Sequence, residues 1–536
     1  MVIPAYYRAS FPCSRRNTRY LPGFVRFPYG RAVTTTLWRA GRVHSPAHPE
    51  ATALLTDSDR IAWVGTEADA ADLTADAVVD LAGDWVAPAF VDAHVHATST
   101  GLALSGLDLT DTPSLAAALS RVEQAARAAR GGVVLGTGWD DTRWPERRPP
   151  TAAELDRASY GGVVYLARTD VHSAVASSAL LAAAPEARAE PGFLPDGLVR
   201  QGAHHAIRRA AYAAITPAQR RTAQERTLQR AAELGIACVH ECGGPDIAGE
   251  ADFLALLALE TPLEVVGYWG ELDGVERARE LGAVGAAGDL FADGALGSHT
   301  ACLQAPYDDD STSGQGYLDV EDVRRHVAAC TLAAMQAGFH AIGDAALETV
   351  VTGIRLAAQD VGLERLRAQR HRVEHAEMLS VDQIRGLAEH AVVASVQPAF
   401  DARWGGPDGM YVERLGAERA RGMNPYADLA RAGVTLAFGS DAPVTPLDPW
   451  GTLRAAVHHR TPGSGLSATA AFAAHTVGGW HAAGRSGIGQ LVAGSPATFS
   501  VWHLEAALTE GLPTLSATEP VCIRTVVGGV VAYVRS

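Results

Sequence analysis

Two histidines that lie two positions apart could bind a metal ion together. They are His94 and His96, in the apolar run Val-Asp-Ala-His-Val-His at residues 91–96. Side chains two positions apart on a β-strand face the same side, so both imidazoles would be directed to one point. Zinc and related ions prefer such nitrogen donors. Because this spacing also occurs by chance among 19 histidines, the pair alone does not establish a metal site.

Three later segments place a histidine or an aspartate at the end of a predicted strand. They are residues 339–344 with His340, residues 371–377 with His375, and residues 438–443 with Asp441. Each of these residues, taken alone, fits a helix cap or a buried polar group equally well. Four such segments at the ends of predicted strands favour one shared site instead.

Alternating strands and helices are predicted from about residue 215 onwards. One helix begins after the capping residue Thr216 and ends before Gly235. With an early strand at 86–94 there are about eight strand–helix units, and one of the predicted strands is 287–292. Eight such units predict an α/β fold, a (β/α)8 barrel of the TIM type. The four segments would then meet at the carboxyl ends of the barrel strands, where such folds place their active sites.

Both ends of the chain are rich in β-forming residues. Residues 31–87 and 485–536 predict one small β-sandwich domain built from both termini, around a barrel domain at 88–484. Residues at about 100–215 interrupt the strand–helix rhythm and are predicted to be an insertion after the first barrel strand. Residues 1–30 carry five arginines and no acidic residue, lack the apolar core of a signal peptide, and are predicted to be a disordered extension.

Composition limits the classes of function. The 536 residues include 45 basic and 60 acidic side chains, and the net charge of −15 argues against a nucleic-acid partner. No apolar run reaches the length of about 18 residues that a membrane span needs. Six cysteines are sparse for this length and predict reduced thiols in a cytoplasmic protein. The chain has no lysine, which excludes a Schiff-base lysine, a P-loop lysine and a carboxylated-lysine metal bridge.

The motifs and their order resemble one known group of enzymes. The segments that carry the resemblance are 88–96, 138–140 (Gly-Trp-Asp), 155–156, 170–172, 293–298, 340–344, 374–376 and 439–443. In these segments, which lie between about residues 33 and 505, the chain is similar to the amidohydrolase superfamily. The similar branch is amidohydrolase family 3, which contains the N-substituted formamide deformylases.

This resemblance implies a metal site and the residues that form it. The implied cofactor is a divalent metal ion, with zinc as the first choice, present as one ion or as two. The implied ligands are His94, His96, His340, His375 and Asp441. Of these, Asp441 and His375 are implied to be catalytic, with Asp441 also accepting a proton. The resemblance further implies that the two termini form the β-sandwich.

The insertion is expected to contribute to the substrate pocket. The residues expected there are Trp139, Asp140 and His172. The partner is expected to be a small-molecule substrate, with no nucleic acid and no membrane involved, and a homodimer is compatible with the resemblance.

Two positions depart from this branch. Where the branch has a lysine that can be carboxylated and bridge two metal ions, this chain has Asp289. The aspartate carboxyl group lies about four bonds closer to the backbone, a gap of several ångströms. We therefore predict a single-metal site with Asp289 outside the ligand sphere; a direct aspartate ligand and a decayed site are the alternatives. At His240-Glu241 relatives often have His-Asp, and Glu241 fits a pocket carboxylate and a structural group equally.

These observations predict a hydrolase that uses a metal-activated water to cleave a C–N bond, of the amide or N-formyl type, in a small molecule. One alternative on the same fold is a single-metal deaminase of an amino-heterocycle. The other is a catalytically decayed barrel that only binds a small molecule.

Overall fold

The fold is taken from a computed structural model. The described residues are 34–141, 144–168, 173–245, 247–505, 507–515 and 518–536. The predicted disordered extension at residues 1–30 lies outside them. Within the described part of the chain, no helix has the length and apolarity needed to cross a membrane.

The amino-terminal part of the chain consists of short strands. They are β1 (Thr35–Arg39), β2 (Arg42–Val43), β3 (Ala53–Asp57), β4 (Arg60–Gly65), β5 (Ala77–Asp80) and β6 (Trp85–Pro88), with a 3-10 helix at Asp69–Asp72 before β5. Four of them form a sheet in the order β4-β3-β1-β5. The strands β2 and β6 belong to a second sheet, which the carboxyl terminus completes.

The first barrel strand and its helix come next. They are β7 (Phe90–Val95) and α1 (Ala97–Ser105). A separate sheet then follows, with the order β12-β11-β10-β9-β8. Its strands are β8 (Leu107–Asp108), β9 (Val134–Trp139), β10 (Val164–Arg168), β11 (Ser173–Ala176) and β12 (Leu198–Arg200). Its helices are α2 (Leu115–Ala129), α3 (Ala152–Ala158), α4 (Ser178–Ala183) and α5 (Gln201–Ala213), with a 3-10 helix at Pro185–Ala189. This sheet lies between the first two barrel strands in sequence, as an insertion.

The remaining barrel strands return after the insertion. They are β13 (Ile236–Gly243), β14 (Glu264–Trp269), β15 (Gly285–Ala286), β16 (Gln336–Ala341), β17 (Arg372–His375), β18 (Val393–Val396) and β19 (Leu436–Phe438). With β7 they form a parallel sheet in the order β7-β13-β14-β15-β16-β17-β18-β19. This confirms the predicted TIM-type barrel with an insertion. The predicted strand at 287–292 is confirmed only in part: β15 ends at Ala286, Gly288 interrupts the pairing with a φ of +86°, and an isolated parallel bridge then joins Phe291 to His340 of β16.

Helices pack around the barrel strands. They are α6 (Pro217–Glu233), α7 (Glu250–Leu257), α8 (Val275–Glu280), α9 (Val320–Leu332), α10 (Asp344–Val361), α11 (Leu363–Arg367), α12 (Val381–Glu389), α13 (Pro398–Trp404), α14 (Met410–Ala420), α15 (Tyr426–Arg431), α16 (Pro449–Val457), α17 (Ala468–Ala474) and α18 (Val477–Ala482). The predicted start of α6 is confirmed, since the Thr216 side chain accepts the Gln219 N–H and the Gln219 side chain returns to the Thr216 backbone.

The carboxyl terminus completes the second terminal sheet. The strands of this carboxyl-terminal part are β20 (Phe499–His503), β21 (Leu508–Thr509), β22 (Leu512–Pro513), β23 (Val521–Val527) and β24 (Val530–Val534). Of these, β21 and β22 pair with each other in a separate two-stranded sheet. The second terminal sheet has the order β2-β6-β20-β23-β24, so it joins both ends of the chain. Its apolar side packs on the first sheet, where Trp38 and Leu54 share a buried cluster with Val86, Phe499 and Val526. The two termini therefore form the small sheet domain together.

Candidate active site

The barrel closes where its first and last strands meet, and this seam contains three of the predicted site residues. The N–H of Asp441 donates to the carbonyl oxygen of His94 at 2.8 Å, and the N–H of His96 donates to that of Ala442 at 3.0 Å. A Cβ atom at Gly439 would lie 2.5 Å from the backbone nitrogen of His94. Glycine therefore allows the two strands to approach closely, and the approach brings His94, His96 and Asp441 to one place.

The side chains at this seam lie within contact distance of one another. Oδ1 of Asp441 is 3.5 Å from Nε2 of His94 and 3.2 Å from Nε2 of His96. His340 and His375, from β16 and β17, complete the group, and their ring centroids are 4.4 Å apart. The structure thus gathers all five predicted ligands at the carboxyl ends of the strands.

Asp289 lies at the centre of this cluster and not outside it. Its Oδ1 is 3.4 Å from Nε2 of His94, 3.7 Å from Nδ1 of His340 and 3.9 Å from Nε2 of His375. Its Oδ2 is 3.2 Å from Nε2 of His96. The carboxylate therefore reaches the imidazoles despite its short side chain, and its outer position relative to a metal ion stays a prediction.

The backbone before Asp289 explains how the short side chain reaches the cluster. Strand β15 ends at Ala286, and Gly288 then turns the chain with a φ of +86°, in the region that favours glycine. The turn packs directly on the end of β14, because a Cβ at Gly270 would lie 2.7 Å from the carbonyl carbon of Asp289. Gly270 and Gly288 therefore allow the backbone at Asp289 to lie close to the site.

Three of the four imidazoles are fixed by a hydrogen bond on the nitrogen that faces away from the cluster. Nδ1 of His94 donates to Oε2 of Glu374 at 2.9 Å, and Nδ1 of His375 donates to Oε1 of Gln397 at 2.8 Å. Nε2 of His340 donates to the carbonyl oxygen of Gly294 at 3.1 Å. Histidines that bind metals show this arrangement, in which a carboxylate or carbonyl fixes the tautomer.

The atoms that face the cluster, in contrast, have no hydrogen-bond partner among the described residues. They are Nε2 of His94, Nδ1 of His340 and Oδ1 of Asp289. All three residues are at least nine-tenths buried. Buried polar atoms rarely lack a hydrogen-bond partner. Nitrogen and oxygen atoms that lack one and face one another are typical of an ion-binding site.

The spacing of the donors fits a divalent cation. Zinc lies about 2.0–2.2 Å from nitrogen and oxygen ligands, so tetrahedral ligand atoms are about 3.3–3.5 Å apart. The contacts that His94 and His96 make with Asp441 and Asp289 measure 3.2–3.5 Å. His340 and His375 lie slightly further from Asp289, at 3.7 and 3.9 Å. The ligand atoms of His94, His96 and Asp441 thus lie close enough together for one ion, and those of His94, Asp289 and His375 form a second such group.

Electrostatics keep the two carboxylates ionised. Burial raises the pKa of Asp289, but the neighbouring imidazoles, His94 first and then His340 and His375, lower it well below its usual value. Burial likewise opposes ionisation of Asp441, and hydrogen bonding to His96 with the nearby imidazole charges lowers its pKa. Two negative charges beside four imidazoles would neutralise a divalent cation.

Backbone strain coincides with the two residues predicted to be catalytic. The φ angle is +69° at His375 and +52° at Asp441, a region that residues other than glycine seldom occupy. The positive φ at His375 interrupts the alternation of side chains along β17, so that Glu374 and His375 both face the barrel interior. Strain of this kind concentrates at functional sites.

The residues predicted from the insertion have different positions. Trp139 is buried in the core of the inserted sheet, and its indole N–H donates to the carbonyl oxygen of Leu166 at 2.9 Å. Asp140 forms an ion pair with Arg168 at 3.1 Å. His172 lies outside the described residues. The roles of these three residues in substrate binding stay predictions.

Several residues that hold the site in place carried no role in the sequence analysis. Asp92 accepts the Ser440 N–H at 2.9 Å across the barrel seam. Asp293 accepts three backbone N–H groups, including that of Gly343 at 2.8 Å, and so fixes the loop whose carbonyl binds His340. Glu241 accepts the N–H of Ala97 at 2.8 Å at the start of α1, which favours its structural interpretation. The available sequence signal for Asp92 is its position two residues before His94 on the same strand.

Comparisons with known proteins agree with the family resemblance and the fold. The sequence profile of the Amidohydrolase family matches residues 77–533. The amidohydrolase YtcJ of Bacillus subtilis is 27% identical over 421 residues, which cover 71% of this chain and 74% of that protein. The N-substituted formamide deformylase of Arthrobacter pascens is 24% identical, covering 91% of this chain and 95% of that protein.

Solved structures show the same architecture. An uncharacterized metal-dependent hydrolase from Pyrococcus furiosus superposes with a TM-score of 0.75 at 26% identity, covering 87% of this chain and 98% of that chain. The match confirms the barrel and the resemblance inferred from the motifs. The chain belongs to the Amidohydrolase family, a family of metal-dependent hydrolases that act on carbon–nitrogen bonds.

Proposed function

We propose that this protein hydrolyses an amide or N-formyl-type C–N bond of a small molecule at a metal site between the barrel strands. The ligands proposed for the first ion are His94, His96, Asp441 and Asp289. Zinc is the expected metal because the donor set is rich in imidazole nitrogen. The single observation that carries the proposal is the convergence of buried, unpartnered donor atoms whose outer nitrogens are already hydrogen-bonded.

The metal would supply polarisation of the scissile carbonyl and increase the acidity of a water molecule. Asp441 is the residue proposed to accept the proton of this water, since its carboxylate is ionised and in contact with the cluster. Donation of that proton to the leaving nitrogen by the same group completes the hydrolysis. The products are an amine and a carboxylate.

His340 and His375 have two possible roles in this proposal. Both rings face Asp289 with a nitrogen, at 3.7 and 3.9 Å, and both are fixed by an outer hydrogen bond. They either bind a second ion together with Asp289 or stabilise negative charge that develops on the substrate oxygen. Elemental analysis distinguishes these roles, because a second ion raises the metal content from one to two per chain.

The proposed activity is tested by a substrate screen with defined products. The purified protein, loaded with zinc, is incubated with N-formyl amines, N-acyl amines and amino-substituted heterocycles. Release of formate or another carboxylate, together with an amine, is the expected result. Ammonia release from heterocycles alone would instead support the deaminase. Metal content near zero after zinc loading would contradict the proposal and support a barrel that only binds small molecules.

The intact cluster favours catalysis over loss of function. A decayed site is expected to lose ligands or to fill their places with apolar side chains. Here every predicted ligand is present, and the replaced lysine position carries a carboxylate that reaches the cluster. A variant in which Ala replaces His94 is expected to remain folded and to lose both zinc and turnover; full metal content and full rate in that variant would refute the assignment.

A further inference from the structure

A buried ion pair lies beneath the site, inside the barrel. Arg372 and Glu374, two positions apart on β17, are both fully buried. The guanidinium donates to both carboxylate oxygens of Glu374. It also donates to the carbonyl oxygen of Ala93 at 2.7 Å and to Oγ of Ser395 at 2.9 Å. The pair therefore connects β17 to β7 and β18 across the barrel interior.

The carboxylate of this pair makes one contact that a purely structural role does not require. Oε2 of Glu374 accepts the Nδ1–H of His94 at 2.9 Å. Two N–H groups of Arg372 donate to this carboxylate, so it is ion-paired and can only accept a hydrogen bond from His94. In a neutral imidazole the proton therefore lies on Nδ1. The lone pair of Nε2 then faces Asp289 and Asp441.

We propose that Glu374, held by Arg372, is a positioning residue that fixes the tautomer of His94 and thereby presents Nε2 as an electron-pair donor to the cation. This inference rests on the proposed metal site. Glu374 is bonded to Arg372 and His94, and in this proposal it acts through the imidazole. Partners of this kind typically contribute about 10–100-fold to metal affinity.

The variant Glu374→Gln tests the tautomer directly. Because Arg372 offers N–H donors to the side chain at 374, the glutamine oxygen is expected to turn toward Arg372 and its NH₂ group toward His94. Nδ1 of His94 must then accept, which moves the imidazole proton to Nε2 and blocks the donor atom. Fold and size are otherwise conserved, so the change should weaken zinc binding by about 10–100-fold.

Two further variants separate positioning from stability. The double variant Arg372→Met and Glu374→Met replaces the ion pair by apolar residues of similar volume, a change that often leaves stability unaffected. It should therefore fold and still bind zinc about 10–100-fold more weakly. The control is Asp252→Asn, which disrupts another ion pair of the barrel, that of the buried Asp252 with the half-buried Arg220 at 3.0 Å, outside the cluster. This control should lose stability and keep zinc affinity within about twofold of wild type.

Zinc affinity is measured by competition with a chromophoric chelator, and thermal unfolding of each metal-free protein is recorded alongside. Weaker zinc binding in Glu374→Gln and in the double variant, but not in the control, supports the proposal. Wild-type affinity in either folded variant overturns it while leaving the proposed function intact; if Glu374→Gln does not fold, the double variant decides. A wild-type protein that binds no zinc overturns the proposed function and this inference together.

Discussion

Replacing Asp289 by Asn tests whether this carboxylate binds the cation directly. The substitution keeps the size of the side chain and removes its negative charge. In the wild-type protein the two carboxylate oxygens lie 3.4 Å from His94 and 3.2 Å from His96, measured to Nε2 of each. Neutral imidazoles bring no charge, so Asp289 and Asp441 are the groups of this cluster that would neutralise a divalent ion. Asp289→Asn should therefore weaken metal binding strongly.

The two interpretations of Asp289 differ in magnitude. Loss of a group outside the ligand sphere lowers metal affinity by about 10–100-fold. Loss of a charged group in direct contact should weaken metal binding by more than about 100-fold, which is about 3 kcal/mol or more of binding free energy. The expectation from side-chain length alone, an outer position for Asp289, predicts a loss below about 100-fold and an unchanged metal content.

The assay is chelator competition on metal-free protein, followed by elemental analysis of the zinc-loaded form. The control is again Asp252→Asn, since Asp252 is a buried carboxylate that accepts the hydroxyl of Thr98 and lies outside the cluster. A loss of zinc affinity below about 100-fold in folded Asp289→Asn, with the same metal content, would refute direct contact. It would restore the outer position for Asp289.

Three further outcomes are expected. With zinc in excess, Asp441→Asn should lower kcat by about 10²–10⁴-fold, because it removes the proton acceptor. The same change removes a charged ligand and should weaken zinc binding, so metal content is measured alongside steady-state kinetics; an unchanged kcat contradicts the assignment. Gly439→Ala should cost about 1–3 kcal/mol of unfolding free energy and weaken zinc binding, because its Cβ would lie 2.5 Å from the His94 nitrogen. Gly422→Ala, with 3.4 Å to its nearest neighbour, is the matched control in the same denaturation and zinc titrations. Burial lowers the pKa of His371 to about 3, below the usual 6.5, so the unfolded chain binds the proton first as the pH falls. Burial of His371 therefore does not reduce the free energy of unfolding above pH 6.5, and below pH 6.5 it should reduce it by about 1.4 kcal/mol per pH unit. Urea unfolding of wild type and His371→Gln between pH 7 and pH 5 checks this expectation. Equal slopes would contradict the assignment.

Much of the site follows from periodicity in the sequence. Side chains two apart on a strand share a face, which is why His94 and His96 lie together. The repeated strand–helix units place His340 and Asp441 at the same end of the barrel, although about a hundred residues separate them. Family resemblance adds His375, which strand alternation alone would turn toward the helices, since its inward position depends on a φ of +69°.

The remaining parts of the site depend on features that have no periodic signal. The partners of the imidazoles are a carboxylate, an amide and a backbone carbonyl from three different segments, so no local pattern reveals them. Trp139 shows a second limit. Its motif matches the family and its side chain lies in the core of the inserted sheet, with its N–H bonded to Leu166, while its role in substrate binding stays a prediction. A motif match does not show whether a residue faces the pocket or the core.

The exchange of lysine for Asp289 and the short strand β15 are best understood together. A carboxylated lysine extends from a strand that stays at the barrel wall, whereas an aspartate needs its backbone about four bonds nearer to the cluster. Here the strand ends at Ala286, and the chain turns at Gly288 onto Gly270. The backbone at position 289 therefore lies close enough for the short side chain to reach the cluster. A site can keep its carboxylate in this way when the lysine is absent, provided that both glycines are kept.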